Sequence, residues 1–272
     1  MLTLLDAVSA AGSRAGQNDD AYGAAPGCAW VIDGATDLDA PVTATASDAA
    51  WIAQTMNAWL HGRPDAATAE ITALVRAGSQ AMRTAFAKIV DPGALPRWKW
   101  PVAALLMVRE TADGVEFADL GDCRLFAAGR VFGGHDHGKD QENAAAAAHA
   151  ADPSGQRYKA PAALDLLRAQ RNTLYDTVGV FGIDPHCAEH LRIQRISLDR
   201  PTHLLLATDG FSALVDVYGA YDPEALMIRA LERGLAPLVA ELRSIEAADA
   251  DGARHPRWKR SDDATAVLLR LS

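Results

Sequence analysis

The chain has 272 residues, 49% of them hydrophobic and 22% charged, an ordinary composition for a globular domain with a sizeable core. Its net charge of −9, from 35 acidic and 26 basic residues, argues against the basic surface that sequence-independent nucleic-acid binding needs. Three scattered cysteines, Cys28, Cys123 and Cys187, form no CxxC pair, which speaks against a thiolate zinc centre or a disulfide framework and fits a reducing compartment. The N-terminus has no basic segment followed by an apolar one, and no run approaches the roughly 18 apolar residues of a membrane helix. A cytoplasmic protein with no membrane or nucleic-acid partner is therefore expected.

In chain order, residues 2–9 read as a first strand. Residues 9–23 are polar and glycine-bearing, a loop that crosses into a short strand near Ala21. Cys28–Asp33 is an apolar strand after the Pro26-Gly27 turn signal. Residues 46–60 and 66–90 carry apolar side chains at helical spacing, with Ser47-Asp48 as a start signal and Asp91-Pro92-Gly93 as a stop. They are expected to pair antiparallel. Val102–Arg109 and Val115–Leu120 flank Asp113-Gly114, a hairpin signal, and 124–128 and 131–132 flank another tight turn. This block reads as an antiparallel meander. Residues 133–160, rich in glycine and then alanine, read as an exposed insertion. A helix from Pro161 to about residue 172, strands at 191–198 and 203–208, one or two helices over 223–247 and a last strand at 264–271 complete the series. Gly234 and Pro237 mark the interruption in 223–247. Helices and strands come in blocks, which predicts an α+β fold with antiparallel sheets and no doubly wound sheet. No composition break divides 1–272 into separate domains.

Several apolar runs deliver an aspartate to a strand end: Ile32-Asp33-Gly34, Leu120-Gly121-Asp122-Cys123-Arg124, Thr208-Asp209-Gly210 and Asp262-Asp263-Ala264-Thr265, preceded by Arg14 and Asn18-Asp19-Asp20. One Asp-Gly after a strand is ordinary turn chemistry. The ordered set is more informative. Oxygen-only donors without a His or Cys partner suit hard cations such as Mg²⁺ or Mn²⁺. Two such ions about 3.5–4 Å apart can activate a bridging water and clamp a phosphoryl oxygen.

From Arg14 to Thr265 this ordered set resembles the PP2C-like (PPM) family of metal-dependent Ser/Thr protein phosphatases. The resemblance implies a β-sandwich of two antiparallel sheets flanked by pairs of antiparallel helices, in α-β-β-α layers, with metals at one edge. It implies direct hydrolysis of phosphoserine or phosphothreonine in proteins by a metal-bridging water, with the phosphoprotein supplied by a Ser/Thr kinase. Asp33 would bridge two Mn²⁺ or Mg²⁺ ions and Gly34 would offer its carbonyl. Asp209 and Asp262 would hold one ion, and Asp20 or its neighbour Asp19 the second. Asp122 would help hold a third, weaker ion, and Arg14 would grip the phosphate. The chain differs from the family pattern at Cys123 (usually Ser), at Ala35-Thr36-Asp37 (usually paired glycines) and at Asp263 (usually Asn). Arg14 also lies one residue further from Asp20 than usual. Asp37, beside the altered loop, is a further candidate ligand.

Two other readings stay open on sequence alone. One is a regulatory relative that binds phosphoprotein without turnover. The other is a haloacid-dehalogenase-like phosphatase using Asp37-Leu38-Asp39, which would need βα alternation around it. His61 reads as a helix end, and His135-Asp136-His137 as an exposed part of the insertion. Arg97, Lys99 and the segment Arg257-Trp258-Lys259-Arg260 could meet a phosphorylated substrate, or pack on a sheet edge with snorkelling bases.

Overall fold

The computed structural model describes residues 1–13, 17–134, 159–177 and 179–272. Arg14, His135-Asp136-His137 and nearly all of the expected insertion at 133–160 lie outside the described residues.

Among the described residues, eleven strands form two sheets. In the first, β1 (Leu2–Ala10), β11 (Ala264–Leu271), β10 (Thr202–Ala207), β6 (Arg124–Ala127) and β7 (Arg130–Gly133) lie side by side in that order. In the second the order is β2 (Asp20–Ala25), β3 (Cys28–Gly34), β4 (Val102–Thr111), β5 (Gly114–Leu120) and β9 (Arg192–Ser197), with the short β8 (Phe181–Gly182) beside the start of β4. Every pairing is antiparallel. The haloacid-dehalogenase-like reading is thereby overturned, because that architecture requires a parallel sheet built from βα units.

The period-two alternation of strand side chains assigns each face. In β10, Leu204 and Leu206 point into the layer between the sheets, while Leu205 and Ala207 face outward to helices. In β11, Val267 and Leu269 face in, and Ala266 and Leu268 face out. In β3, Ala29 and Val31 face in, and Trp30 and Ile32 face the other helical layer. Strands buried on both faces read as continuous apolar runs, which is why these segments stand out in the sequence.

Helices cover both outer faces. Over the second sheet lie α1 (Asp48–His61) and α2 (Ile71–Phe86), whose Ile52, Met56, Leu74 and Met82 pack on Trp30 and Ile32. Trp30 Nε1 donates to Asn57 Oδ1 at 2.8 Å, which satisfies the one polar atom of a fully buried ring. Ser47 caps α1 by accepting from Ala50 N. Glu70 caps α2 by accepting from Thr72 N and Ala73 N, so this helix is shorter than the 66–90 stretch the periodicity suggests. The third helix, α3 (Pro161–Thr177), is longer than expected. Over the first sheet lie α4 (Asp209–Asp216), α5 (Pro223–Arg233) and α6 (Leu235–Ala248), with Phe211, Leu226, Leu238 and Leu242 on the sheet. Gly234, at φ 79°, separates α5 from α6. Pro237 does not interrupt; it lies in the first turn of α6, where a missing N–H costs nothing.

Two expectations need correction. The strands from 102 to 132 are not one meander. β4 and β5 belong to the second sheet and β6 and β7 to the first, so Gly121-Asp122-Cys123 carries the chain from one sheet to the other. The segment after Asp209 is not a turn but helix α4, with Thr208 at its cap position.

Leu206 is fully buried in the central β10 and touches the inter-sheet layer. Leu206→Ala is expected to lower unfolding free energy by about 2–5 kcal/mol, measured by urea denaturation.

Candidate metal centre

The antiparallel pairings bring one set of strand ends to a single mouth of the sandwich. Asp20, at the start of β2, stands opposite Asp33, near the end of β3. Ala207 at the end of β10 stands opposite Ala266 on one side and Arg124 on the other. The mouth therefore collects Asp20, Asp33, Asp122 of the sheet crossover, Asp209 at the start of α4 and Asp262 before β11. Asp33 has the same parity in β3 as the inward-facing Val31.

Both glycines of the Asp-Gly pairs are explained by close approach, not by turn geometry. A Cβ on Gly34 would lie 2.5 Å from Ala49 O and from Asp19 O, and one on Gly210 would lie 1.9 Å from Asp263 O. Neither has a left-handed φ. The small residue lets α1 press its first turn against β3, and lets α4 press against the segment leading into β11.

Like charges directly opposite in a strand pair repel, and burial adds to the cost. Asp20 is 2% exposed. Its pKa is raised well above the usual 3.8, first by burial and then by the charges of Asp263 and Asp262; hydrogen bonds from Thr265 and Thr208 oppose the shift. Asp33 is likewise raised well above 3.8, by burial first and then by Asp20, Asp209, Asp122 and Asp262. The buried thiol of Cys123 is raised by burial and by Asp33, Asp122, Asp20 and Asp209. Cys123 thus packs beneath the carboxylates as an un-ionised small residue.

Neighbouring groups fix these carboxylates. Thr208 Oγ1 donates to Asp20 Oδ2 at 2.9 Å. Asp20 Oδ1 is buried with no hydrogen-bond partner. Asp19 is occupied differently: its Oδ1 accepts from Ser47 Oγ at 2.5 Å and from Gln17 Nε2 at 3.1 Å, tying the loop to the cap of α1. Asp263 accepts from Gly12 N at 2.7 Å and Asp19 N at 2.8 Å, clasping both ends of the segment that carries Arg14. Ser13 and Ser261 add a second set of bonds there, with Ser13 N donating to Ser261 O at 3.1 Å and Ser261 N to Ser13 Oγ at 2.7 Å. Arg243 donates to Asp262 O at 2.8 Å and to the buried Glu246. Lys259 Nζ meets Asp262 Oδ1 at 2.5 Å. Burial disfavours that ammonium, but Asp262, followed by Asp33 and Asp209, outweighs the cost and raises its pKa.

Asp37 sits elsewhere. Its carboxylate accepts from Asp48 N at 2.9 Å and Ala49 N at 3.2 Å, at the first turn of α1. Burial, followed by opposing helix hydrogen bonds and the charge of Asp48, places its pKa at about 6. Asp39 pairs with Lys99 at 3.0 Å, and Arg97 with Asp176 at 2.7 Å, so these bases serve the packing around α3. His61 ends α1 and meets the edge of the Trp30 ring at 5.0 Å.

Among the described residues no three His, Cys, Asp or Glu side chains are already gathered into a closed metal-holding group. The carboxylates converge without lining a finished cage. Their chemistry nonetheless fits a hard cation. The donors are all oxygen, Asp20 Oδ1 is buried and unsatisfied, and the opposed Asp20 and Asp33 gain from any positive charge between them. The sequence pattern singles out these aspartates as candidates. The sequence carries no signal for the hydrogen-bonding roles of Thr208 and Arg243, marks Asp263 only as a departure from the family pattern, and offers Lys259 as a substrate contact or a snorkelling base.

Two antiparallel sheets between helical layers, with strand-end carboxylates at one mouth, define the α-β-β-α class to which PP2C-like phosphatases belong. The family description "Protein phosphatase 2C" matches residues 13–252, and the chain belongs to that family. Among solved structures, the serine/threonine phosphatase PstP/Ppp of Mycobacterium tuberculosis is 18% identical with a TM-score of 0.55, covering 100% of this chain and 99% of that one. The PPM Ser-Thr phosphatase MsPP of Mycobacterium smegmatis, in complex with cacodylate, is 19% identical with a TM-score of 0.52, covering 99% and 100%. The catalytic domain of PstP in complex with two manganese ions is 18% identical with a TM-score of 0.53, covering 99% of each chain. At such identities the likeness establishes the fold. No curated protein matches the sequence.

Asp20 and Asp33 hold their protons to higher pH folded than unfolded. Their contribution to stability is complete below about pH 3.8, the unfolded value, and is lost as pH rises through the higher folded values. In EDTA, the thermal unfolding midpoint is therefore expected to fall as pH is raised above 3.8, and Asp33→Asn to flatten that fall. Equal slopes in the two proteins, followed by differential scanning calorimetry, would remove Asp33 as the source.

Proposed function

We propose that this protein is a Mn²⁺- or Mg²⁺-dependent phosphatase that hydrolyses phosphoserine and phosphothreonine in proteins. The observation that carries the reading is the convergence of Asp20, Asp33, Asp122, Asp209 and Asp262 at one mouth of a protein phosphatase 2C fold. Two divalent ions, with a third and weaker one, would supply Lewis-acid activation of water and neutralise phosphoryl charge. The manganese-bound PstP domain and a magnesium complex of RsbX, at 11% identity with a TM-score of 0.51, make these the cations to test.

The roles are those the family resemblance implies, qualified by the contacts each side chain makes. Asp33 would be the central ligand, with the Gly34 carbonyl offered beside it. Asp20 offers its Oδ1, since Thr208 already engages Oδ2. Asp209 and Asp262 would hold one ion, and Asp122 would help hold the weakest. Asp19, held by Ser47, acts through its loop and not as the main ligand. Asp37 caps a helix and is left out of the ligand set. Arg14 would present its guanidinium to the phosphoryl oxygens.

The substrate would be a phosphoprotein made by a Ser/Thr kinase. No described helix is long and apolar enough to cross a membrane. Three buried, unpaired cysteines suit a reducing cytoplasm.

Hydrolysis of p-nitrophenyl phosphate and of a phosphothreonine peptide should require Mn²⁺ or Mg²⁺ and stop in EDTA. Asp33→Asn and Asp209→Asn should each lower kcat by about 100-fold or more. Full activity in Asp209→Asn would overturn the reading. Phosphopeptide binding without turnover in saturating Mn²⁺ would make the protein a regulatory relative instead.

A further inference from the structure

Among the described residues, Lys259 brings a basic side chain to the carboxylate mouth. Its Nζ lies 2.5 Å from Asp262 Oδ1, an atom that also accepts from Asp263 N at 2.9 Å. An i,i+3 pair on an open surface would be worth little. This one is different in placement. The Lys259 side chain is 17% exposed, less than the 38% of its partner, so the ammonium is turned inward and not into solvent. Asp33 and Asp209 are its next charged neighbours. The backbone around it is pinned on both sides. Arg257 binds Asp249 Oδ2 at 2.8 Å, and Ser261 is bonded to Ser13. The flexible four-carbon stem is then the part of this segment that can move. The family match ends at residue 252, before this segment begins.

We propose that Lys259 is a tethered cation that competes with divalent ions for Asp262 and sets the metal affinity of the site low. The inference rests on the metal-binding reading above. Its physical basis is simple. An ammonium beside Asp262 offsets part of the negative charge that attracts a divalent ion. A unit charge and a double charge a few ångströms apart also repel, enough to cost about tenfold in affinity even at the dielectric of water. Metal binding would therefore require the ammonium to leave Asp262 Oδ1. Activity would then respond to divalent-ion concentration in a range above that of a site with the same carboxylates and no lysine.

Isothermal titration of the EDTA-stripped full chain with MnCl2 tests this. Lys259→Met keeps the stem and removes the charge, and is expected to bind Mn²⁺ about tenfold more tightly than wild type. Lys259→Gln, a second neutral variant, should do the same, while Lys259→Arg should stay within about threefold of wild type. Circular dichroism melts establish which variants are folded. If wild type binds Mn²⁺ and the folded neutral variants bind it equally or more weakly, Lys259 is a loop-bracing ion pair and the proposal is wrong. If neither wild type nor the neutral variants bind Mn²⁺, the metal-binding reading falls and this inference with it.

Discussion

The opposition of Asp20 and Asp33 across the β2–β3 pair is the constraint on which the mouth of this molecule depends. A buried and a half-buried carboxylate in register are unfavourable in any fold that does not give them a cation. The surrounding contacts hold them together regardless. Thr208 fixes one oxygen of Asp20, Gly34 lets α1 approach β3, and Asp263 ties Gly12 and Asp19 to the start of β11. Stability given up at a site in this way is a common signature of function. The large inter-sheet and sheet–helix cores are what allow it.

Those cores follow from parity along each strand. In β3, β10 and β11 successive side chains serve two different apolar layers. A one-residue slip would exchange the layers and rotate Asp33 away from the mouth. The register that packs Val31 and Leu206 is thus the same register that aims the carboxylates. Packing and site geometry are not separable here, and a substitution in β3 would be felt in both.

Much of the architecture was legible because both-face burial writes apolar runs into the sequence. Cys28–Gly34, Val102–Thr111 and Ala264–Leu271 are visible for that reason. The failures have equally physical causes. Asp209-Gly210 reads as a turn by local chemistry, yet its glycine serves a close backbone contact and a helix follows. The strands from 102 to 132 look like one meander because nothing local reveals that Gly121-Asp122-Cys123 changes sheets. Asp37 looks like a ligand by proximity to Asp33, but is taken by the N–H groups of α1.

The sequence by itself determined the α+β class, most strand positions and the carboxylates worth watching, because hydrophobic periodicity and residue chemistry are local properties. Tertiary structure alone decided which carboxylates meet. It separated Asp20 from Asp19, since Thr208 and Ser47 come from segments far along the chain. It set the Asp37 carboxylate on the N–H groups of α1 and turned Asp263 into a clasp. It also brought Lys259 to Asp262, a pairing that three-residue spacing permits but only the fixed loop over the sandwich mouth enforces. Electrostatic neighbourhoods are set by long-range register, and no single segment of the chain carries that information.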